Sequence, residues 1–224
     1  MMQNLLILDT ETTGIDPKKG KLIEVAGIFF NIPSKSIIQQ ISTLFYAEDN
    51  AAQHINNITV ESLRSVNPGL CAISNDVLSF MMGKCDAVIA HNANFDRRWV
   101  EHHLEQKLIS QQKKWLCSKE DIQWAPSKSL KLVDIAEAMG VPVVSAHRAL
   151  SDCQMLAACL AKLPDLDAQL NSGSSRKLYV ANVSYEDKEL PKKAGFYWDA
   201  DRKKWFKKMR PEQAEACRFP ISIF

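Results

Sequence analysis

The sequence predicts an α/β chain, with a mixed sheet flanked by helices and a small α+β domain behind it. Three observations carry that expectation. Leu5 to Asp9 is an apolar run that enters the turn chemistry of Thr10 to Gly14, which marks a strand buried on both faces of a sheet. Two further strand-like segments, Lys21 to Asn31 and Ile37 to Tyr46, are separated by a Pro33-Ser34-Lys35 turn and suggest an antiparallel meander with the first strand central. From Ala87 onward, short apolar strands alternate with segments of helical periodicity.

The elements follow in order. Thr59 is placed to cap a short helix, and a longer one crosses Ile73 to Met82 with Ile73, Val77, Leu78 and Met81 on one face. Ala87 to Ala90 is a buried strand. Behind it Phe95, Trp99, Val100 and Leu104 recur at helical spacing, which places Asp96 in a first turn. Trp115 to Cys117 forms another strand. Leu130 to Met139 forms a helix stopped by Gly140 and Pro142. A long apolar-faced helix then carries Asp152, with His147 at its entry.

Composition sets bounds. With 224 residues, 46% of them hydrophobic, the chain suits one full domain plus an appendage. No stretch approaches a membrane span, and the start, MMQNLL, lacks the basic and apolar regions of a signal peptide. The cysteines (Cys71, Cys85, Cys117, Cys153, Cys159 and Cys217) never form a C-x-x-C, so reduced thiols and a cytoplasmic location are expected. Residues 1–173 carry 16 basic against 19 acidic side chains, a net of −3, whereas residues 174–224 carry 12 against 7, a net of +5. Such asymmetry hints at a polyanionic partner. The expected organisation is a main domain over 1–168, a linker over 169–177 around NSGSSR, and a small basic domain over 178–224.

Asp9 and Glu11 are two apart on one strand, so both point to the same side. Two carboxylates crowded at the end of a buried strand repel each other and lose hydration. Hard divalent cations with oxygen ligands are the natural compensation, and a solvated strand end is the alternative. Asp96 is favoured by the helix dipole in either case. A full helical placement would set His147 and Asp152 about 140° apart, so they share a site only if His147 sits at a loose helix edge. Asp152 could otherwise pair with Arg148, and Glu24 could lie near the acids or at the sheet rim.

Together LDTETTG, AHNANFDRR and HRALSD resemble, in order, the three motifs of the DEDD exonuclease superfamily, histidine subtype, the DnaQ-like 3′–5′ exonucleases of RNase H-like fold. The resemblance spans residues 5 to about 163, and its wording is similar to the exodeoxyribonuclease X branch. It implies that Asp9, Glu11, Asp96 and Asp152 hold two magnesium or manganese ions and that His147 is the general base. Two such ions would stabilise the attacking and leaving oxygens of an in-line phosphoryl displacement. An imidazole, with an ordinary pKa near ~6.5, can take a proton from the attacking water near neutral pH. The resemblance also implies that Thr12 and Phe95 hold the terminal nucleotide. Asn56 stands where the family often has a histidine, with His54 two residues earlier. The implied partner is a nucleic-acid 3′ end, with DNA preferred over RNA.

The tail resembles a small, poorly characterised domain with a K-x-x-G-x-x-W-D-x-x-x-K-x-W core, found appended to nucleic-acid and mobile-element proteins. It reads as a strand, a helix ending at Gly195 and a charged hairpin. Phe196, Tyr197, Trp198, Trp205 and Phe206 are expected in its core, and Lys203, Lys204, Lys207 and Lys208 on a substrate-binding surface. Two other functions stay open: an exoribonuclease, and a non-catalytic RNase H-like binding module. The full set of four acids with His147 argues against the second.

Overall fold

The first strand, β1 (Asn4–Thr12), runs through the middle of a five-stranded mixed sheet. The computed structural model describes residues 2–104, 113–143, 147–199 and 202–224. β2 (Leu22–Asn31) pairs antiparallel with β1, and β3 (Ser36–Leu44) antiparallel with β2. On the other side β4 (Ala87–Ala90) lies parallel to β1, and β5 (Lys114–Cys117) parallel to β4. The order β3-β2-β1-β4-β5 is that of an RNase H-like sheet.

Helices cover both faces, which is why β1 is apolar without alternation. The helical segments of the main unit are α1 (Gln53–Asn56), α2 (Val60–Arg64), α3 (Pro68–Lys84), α4 (Ala93–His103), α5 (Ser118–Asp121), α6 (Leu132–Ala138), α7 (Ala149–Lys162) and α8 (Leu166–Ser174). Leu5 and Ile7 join Cys153, Leu156 and Leu160 of α7 in one core. Leu6 and Leu8 join Leu78 of α3 and Trp99 of α4 in the other. That alternation decides where the polar end of β1 points. Asp9 and Glu11 continue the α7 side, and Thr10 continues the α4 side.

Local signals explain the ends of several elements. The Thr59 hydroxyl accepts the Ser62 amide at 3.2 Å and caps α2. Gly140, at φ 64°, provides the left-handed turn that follows α6. One expectation about α3 fails. Ile73 is 61% exposed, because the buried stripe runs through Leu78, Met81 and Met82, about 140° round the helix from it.

The chain divides into two compact units, Met1–Asn171 and Ser172–Phe224. The segment expected as a flexible linker is helical through Ser174. Leu166 and Leu170, one turn apart, are buried in the core beside α7 and pin α8 to the first unit.

The second unit has a four-stranded antiparallel sheet of β6 (Lys177–Ala181), β7 (Tyr197–Asp199), β8 (Lys204–Met209) and β9 (Ile221–Ile223), in the order β7-β8-β6-β9. Its short helices are α9 (Glu189–Lys193) and α10 (Pro211–Glu215). The last helix and last strand had no clear signal in the sequence. Phe196 and Phe206 are buried as expected, but Tyr197 and Trp198 remain 50% and 49% exposed. They sit on a three-residue edge strand, where neighbours can cover a side chain from one side only.

Leu170→Ala should lower the stability of the first unit by about 2–5 kcal/mol, the cost of a buried Leu-to-Ala truncation. Urea denaturation followed by tryptophan fluorescence checks this. A segment that merely linked two units would tolerate the change with no shift in midpoint.

Candidate active site

Asp9, Glu11 and Asp152 each offer a carboxylate oxygen, and these atoms all lie within 4.8 Å of one another. The first two come from β1, whose pairing with β2 carries an irregularity between Glu11 and Thr12. A bulge of this kind re-aims side chains where a strand ends. Asp152 comes from the first turn of α7, on the face of the sheet where Asp9 and Glu11 emerge.

Asp96 approaches from the opposite face. It lies buried in the first turn of α4, and its Oδ1 accepts the Thr10 hydroxyl at 2.9 Å. It therefore stands outside the close trio, yet it is the neighbouring charge that acts most strongly on Asp9.

Burial is the largest cause of the altered acidities here. It holds the Asp9 carboxyl well above the usual carboxylate range, helped by the charges of Asp96, Asp152, Glu11 and Glu24. Burial, with Asp152 and Glu24 close by, pushes Glu11 up to about 8, and Arg148 opposes part of that. Asp96 is raised to about 7 by burial, against its hydrogen bond from Thr10. Asp152 is raised to about 6, again chiefly by burial, while the His147 side chain and backbone N–H pull it down.

His147 lies just ahead of α7, at φ 62°, in the left-handed region. Its side chain is exposed, and it acts on Asp152 through both charge and backbone. The 140° separation of a continuous helix does not apply, because the helix starts only at Ala149. Val144, Ser145 and Ala146, just ahead of it, lie outside the described residues.

Sequence reasoning missed what holds this helix entry. Arg148 does not pair with Asp152. Its guanidinium donates to both oxygens of Glu24, at 3.1 and 3.2 Å. Glu24 is 1% exposed, and it also accepts the Ala149 amide at 3.2 Å and the Ser42 hydroxyl at 2.8 Å. A carboxylate from β2 thus caps α7, where the helix dipole favours an anion. The signal was an acid inside an apolar strand, which cannot stay buried without partners.

The residues expected at the terminal nucleotide divide. Phe95 is partly buried against Trp99, with ring centroids 6.0 Å apart. Thr12 is buried, and its hydroxyl donates to the Gly14 carbonyl at 2.6 Å. Asn56 is turned inward. Its Oδ1 accepts from Asn50 and from the Ile58 amide, and its Nδ2 reaches the Thr12 carbonyl. Those bonds commit it to holding the 50–58 loop against the end of β1, while His54 on α1 is exposed. Lys203, Lys204, Lys207 and Lys208 all belong to the second unit. Lys207 is already engaged, its Nζ donating to the Ala194 carbonyl at 2.6 Å.

Comparison with known proteins gives the family. Residues 6–160 match the family described as exonuclease (RNase_T). The chain belongs to the exonuclease family. It is a 3′–5′ exonuclease of the DnaQ-like type; the DEDDh exonucleases, one of which shares its fold, use divalent metals. It is 30% identical to the DNA polymerase III subunit epsilon of Treponema pallidum over 165 residues, covering 66% of this chain and 70% of that protein. It is 26% identical to a PolC-type DNA polymerase III of Thermotoga petrophila, over 68% of this chain but only 11% of that protein. Among solved structures, the fold resembles exonuclease X in complex with 5′ overhanging duplex DNA, with a TM-score of 0.52 and 24% identity over 75% of this chain and 93% of the other. It also resembles the nuclease domain of 3′hExo, a DEDDh family member bound to rAMP, with a TM-score of 0.57 and 16% identity over 75% and 93% of the two chains. Residues 177–223 match a domain of unknown function (DUF8626).

The weakened acidities make stability depend on pH. Folded Glu11 holds its proton to about pH 8, whereas in the unfolded chain a glutamate releases it near ~4.3. The folded state therefore binds more protons through that window. Stability of the cation-free protein should fall as pH rises from about 4 through about 8, then level off. Glu11→Gln should match wild type at pH 5 and melt above it at pH 9, as read by thermal denaturation in chelator. A variant that loses stability relative to wild type as pH rises would show that the charged carboxylate is a favourable structural group.

Proposed function

We propose that this exonuclease removes nucleotides from DNA 3′ ends, with two magnesium or manganese ions held by Asp9, Glu11, Asp96 and Asp152 and with His147 as general base. The observation that carries this reading is the convergence of three carboxylates within 4.8 Å on the strand end, with His147 beside the third. The donor set fits such ions. The trio offers only oxygen, is partly buried and is crowded enough to weaken its own acidities, which is the environment a hard cation relieves. When bound, a pair of such ions supplies charge stabilisation for the attacking and leaving oxygens of the phosphodiester.

The chain's own residues supply the remainder. Asp9, Glu11 and Asp152 would hold one ion, on the side of the attacking water, and Asp9 with Asp96 would hold the other. His147, exposed at the helix entry, takes the proton from the attacking water. Asp152 holds it there through its contact with the His147 backbone. Phe95, half-buried at the start of α4, offers a ring to the terminal base. Thr12, at the end of β1, is the other residue assigned to the terminal nucleotide.

A preference for DNA is supported by the DNA polymerase subunits among the relatives and by exonuclease X, solved with duplex DNA. Processing of DNA ends in repair suits that preference. A second reading is favoured by neighbours bound to RNA components, among them a 3′-exonuclease recognising the histone mRNA stem-loop, with a TM-score of 0.58. A cytoplasmic location is supported by the cysteines, all free among the described residues. Among those residues, no helix is long and apolar enough to cross a membrane.

His147→Ala should lower kcat by about 10²–10⁴-fold, the range of a lost general base, with little change in the magnesium concentration needed for half activity. A large rise in that concentration, with near-normal rates at saturation, would make His147 a ligand or positioning group instead. Asp9→Asn should abolish hydrolysis at any magnesium concentration. Matched end-labelled DNA and RNA strands, digested side by side with and without chelator, test the preference. Faster release from the RNA 3′ end would replace the DNA reading with the exoribonuclease one.

A further inference from the structure

The sheet of the second unit has two unlike faces. On one, Tyr179, Ala181 and Met209 are buried with Phe196, and Ala194 and Ala214 beside the two short helices pack against them. Lys207 lies on this face too, tied to the Ala194 carbonyl and 5.9 Å from the Phe196 ring. Trp198 and Trp205, opposite each other in register, stand at its rim with centroids 5.4 Å apart.

The other face carries rings and cations. Register sets Tyr197 opposite Phe206, and Phe206 opposite Val180. Phe224 extends the β9 edge, its amide donating to the Leu178 carbonyl at 2.9 Å. The three rings form a row across the sheet. Tyr197 and Phe206 have centroids 6.1 Å apart, and Phe206 meets Phe224 edge-on at 5.0 Å. Phe206 is buried beneath its neighbours, but Tyr197 is 50% and Phe224 62% exposed. Lys204 and Lys208, each two residues from Phe206, project on the same side. The Arg202 guanidinium lies 5.6 Å from the Phe224 ring. Among the described residues, the acid that register places on this face is Asp199, and Arg202 pairs with it at 2.8 Å. Residues 172–224 carry 12 basic against 7 acidic side chains, a net of +5.

We propose that this face binds a single strand of nucleic acid, with bases stacking on Tyr197 and Phe224 and phosphates meeting Lys204 and Lys208. Stacking on an aromatic ring is available to every base, but only when the base is not already stacked within a duplex. Lysines flanking the rings supply the charge that neutralises the backbone. The charge of the unit, opposite in sign to that of residues 1–173, selects a polyanion over an apolar partner. This assignment moves Tyr197 from the core expected for it to the binding surface, and removes Lys207 from that surface.

The binding can be read apart from hydrolysis. Full-length protein in chelator is titrated into labelled oligothymidylate and oligouridylate strands of about 20 nucleotides, and anisotropy is followed over a range of salt. Tyr197→Ala combined with Phe224→Ala should weaken binding to both strands at least about 10-fold, while Tyr197→Phe retains it. Lys204→Gln combined with Lys208→Gln leaves the rings in place. It should make the slope of log K against log salt shallower by about 1.4, from two phosphates at about 0.7 each. Wild-type affinity and slope in both sets would overturn the proposal and leave the face for a protein partner. A loss produced by Trp198→Ala, with the Tyr197 and Phe224 variant unaffected, would also overturn it, because binding would then lie on the opposite face.

Discussion

Four carboxylates gather round the end of β1 in a partly buried site, and their loss of hydration there, with the repulsion it strengthens at Asp9 and Glu11, is the constraint the first unit is built to hold. Charges that are weakly coupled in bulk water interact several-fold more strongly when buried. Left to itself, such a cluster would move apart or take up protons. It stays together because each acid is fixed by an element anchored elsewhere in the core. Asp9 and Glu11 continue a strand whose Leu5 to Leu8 are fully buried. Asp96 starts a helix held by Trp99 and Val100, and Asp152 starts one held by Cys153, Leu156 and Leu160.

Strand alternation then divides the labour. Because β1 sends successive side chains to opposite faces, the trio of Asp9, Glu11 and Asp152 gathers on the α7 side, and Asp96 is tethered on the α4 side by Thr10. Glu24 adds a fifth acid close by, but one whose charge is compensated. Arg148, the Ala149 amide and the Ser42 hydroxyl satisfy it, so it secures the helix entry beside His147. The pair links β2 to α7 across 124 residues of sequence.

Much of this was legible in the sequence because it depends on local pattern. The apolar run into Asp9 announces a doubly covered strand, and the spacing of Asp9 and Glu11 puts them on one side. The motif order carried the family. What was not legible depends on tertiary partners. Nothing near Arg148 in sequence indicates that Glu24 will take it in preference to Asp152. Nothing near Asn56 shows that Asn50 and Ile58 will turn it inward. The NSGSSR segment reads as flexible because its own residues are small and polar. It is helical through Ser174 because Leu166 and Leu170 dock in a core formed by residues far away. Tyr197 and Trp198 were expected inside because small domains need their aromatics, but an edge strand of three residues leaves both half exposed.

The central claim is that Glu11, and in part Asp96, hold protons at neutral pH chiefly because of burial, and that a divalent cation takes the protons' place. Counting the protons released when manganese binds tests it most directly. Titration calorimetry at pH 7 in buffers of differing ionisation enthalpy gives that number, since ligands must ionise to bind. With Glu11 raised to about 8 and Asp96 to about 7, binding should release about one proton or more at pH 7, and the number should fall as pH rises through about 8. Binding at pH 7 that releases no protons would contradict the account, because the carboxylates would then already be ionised.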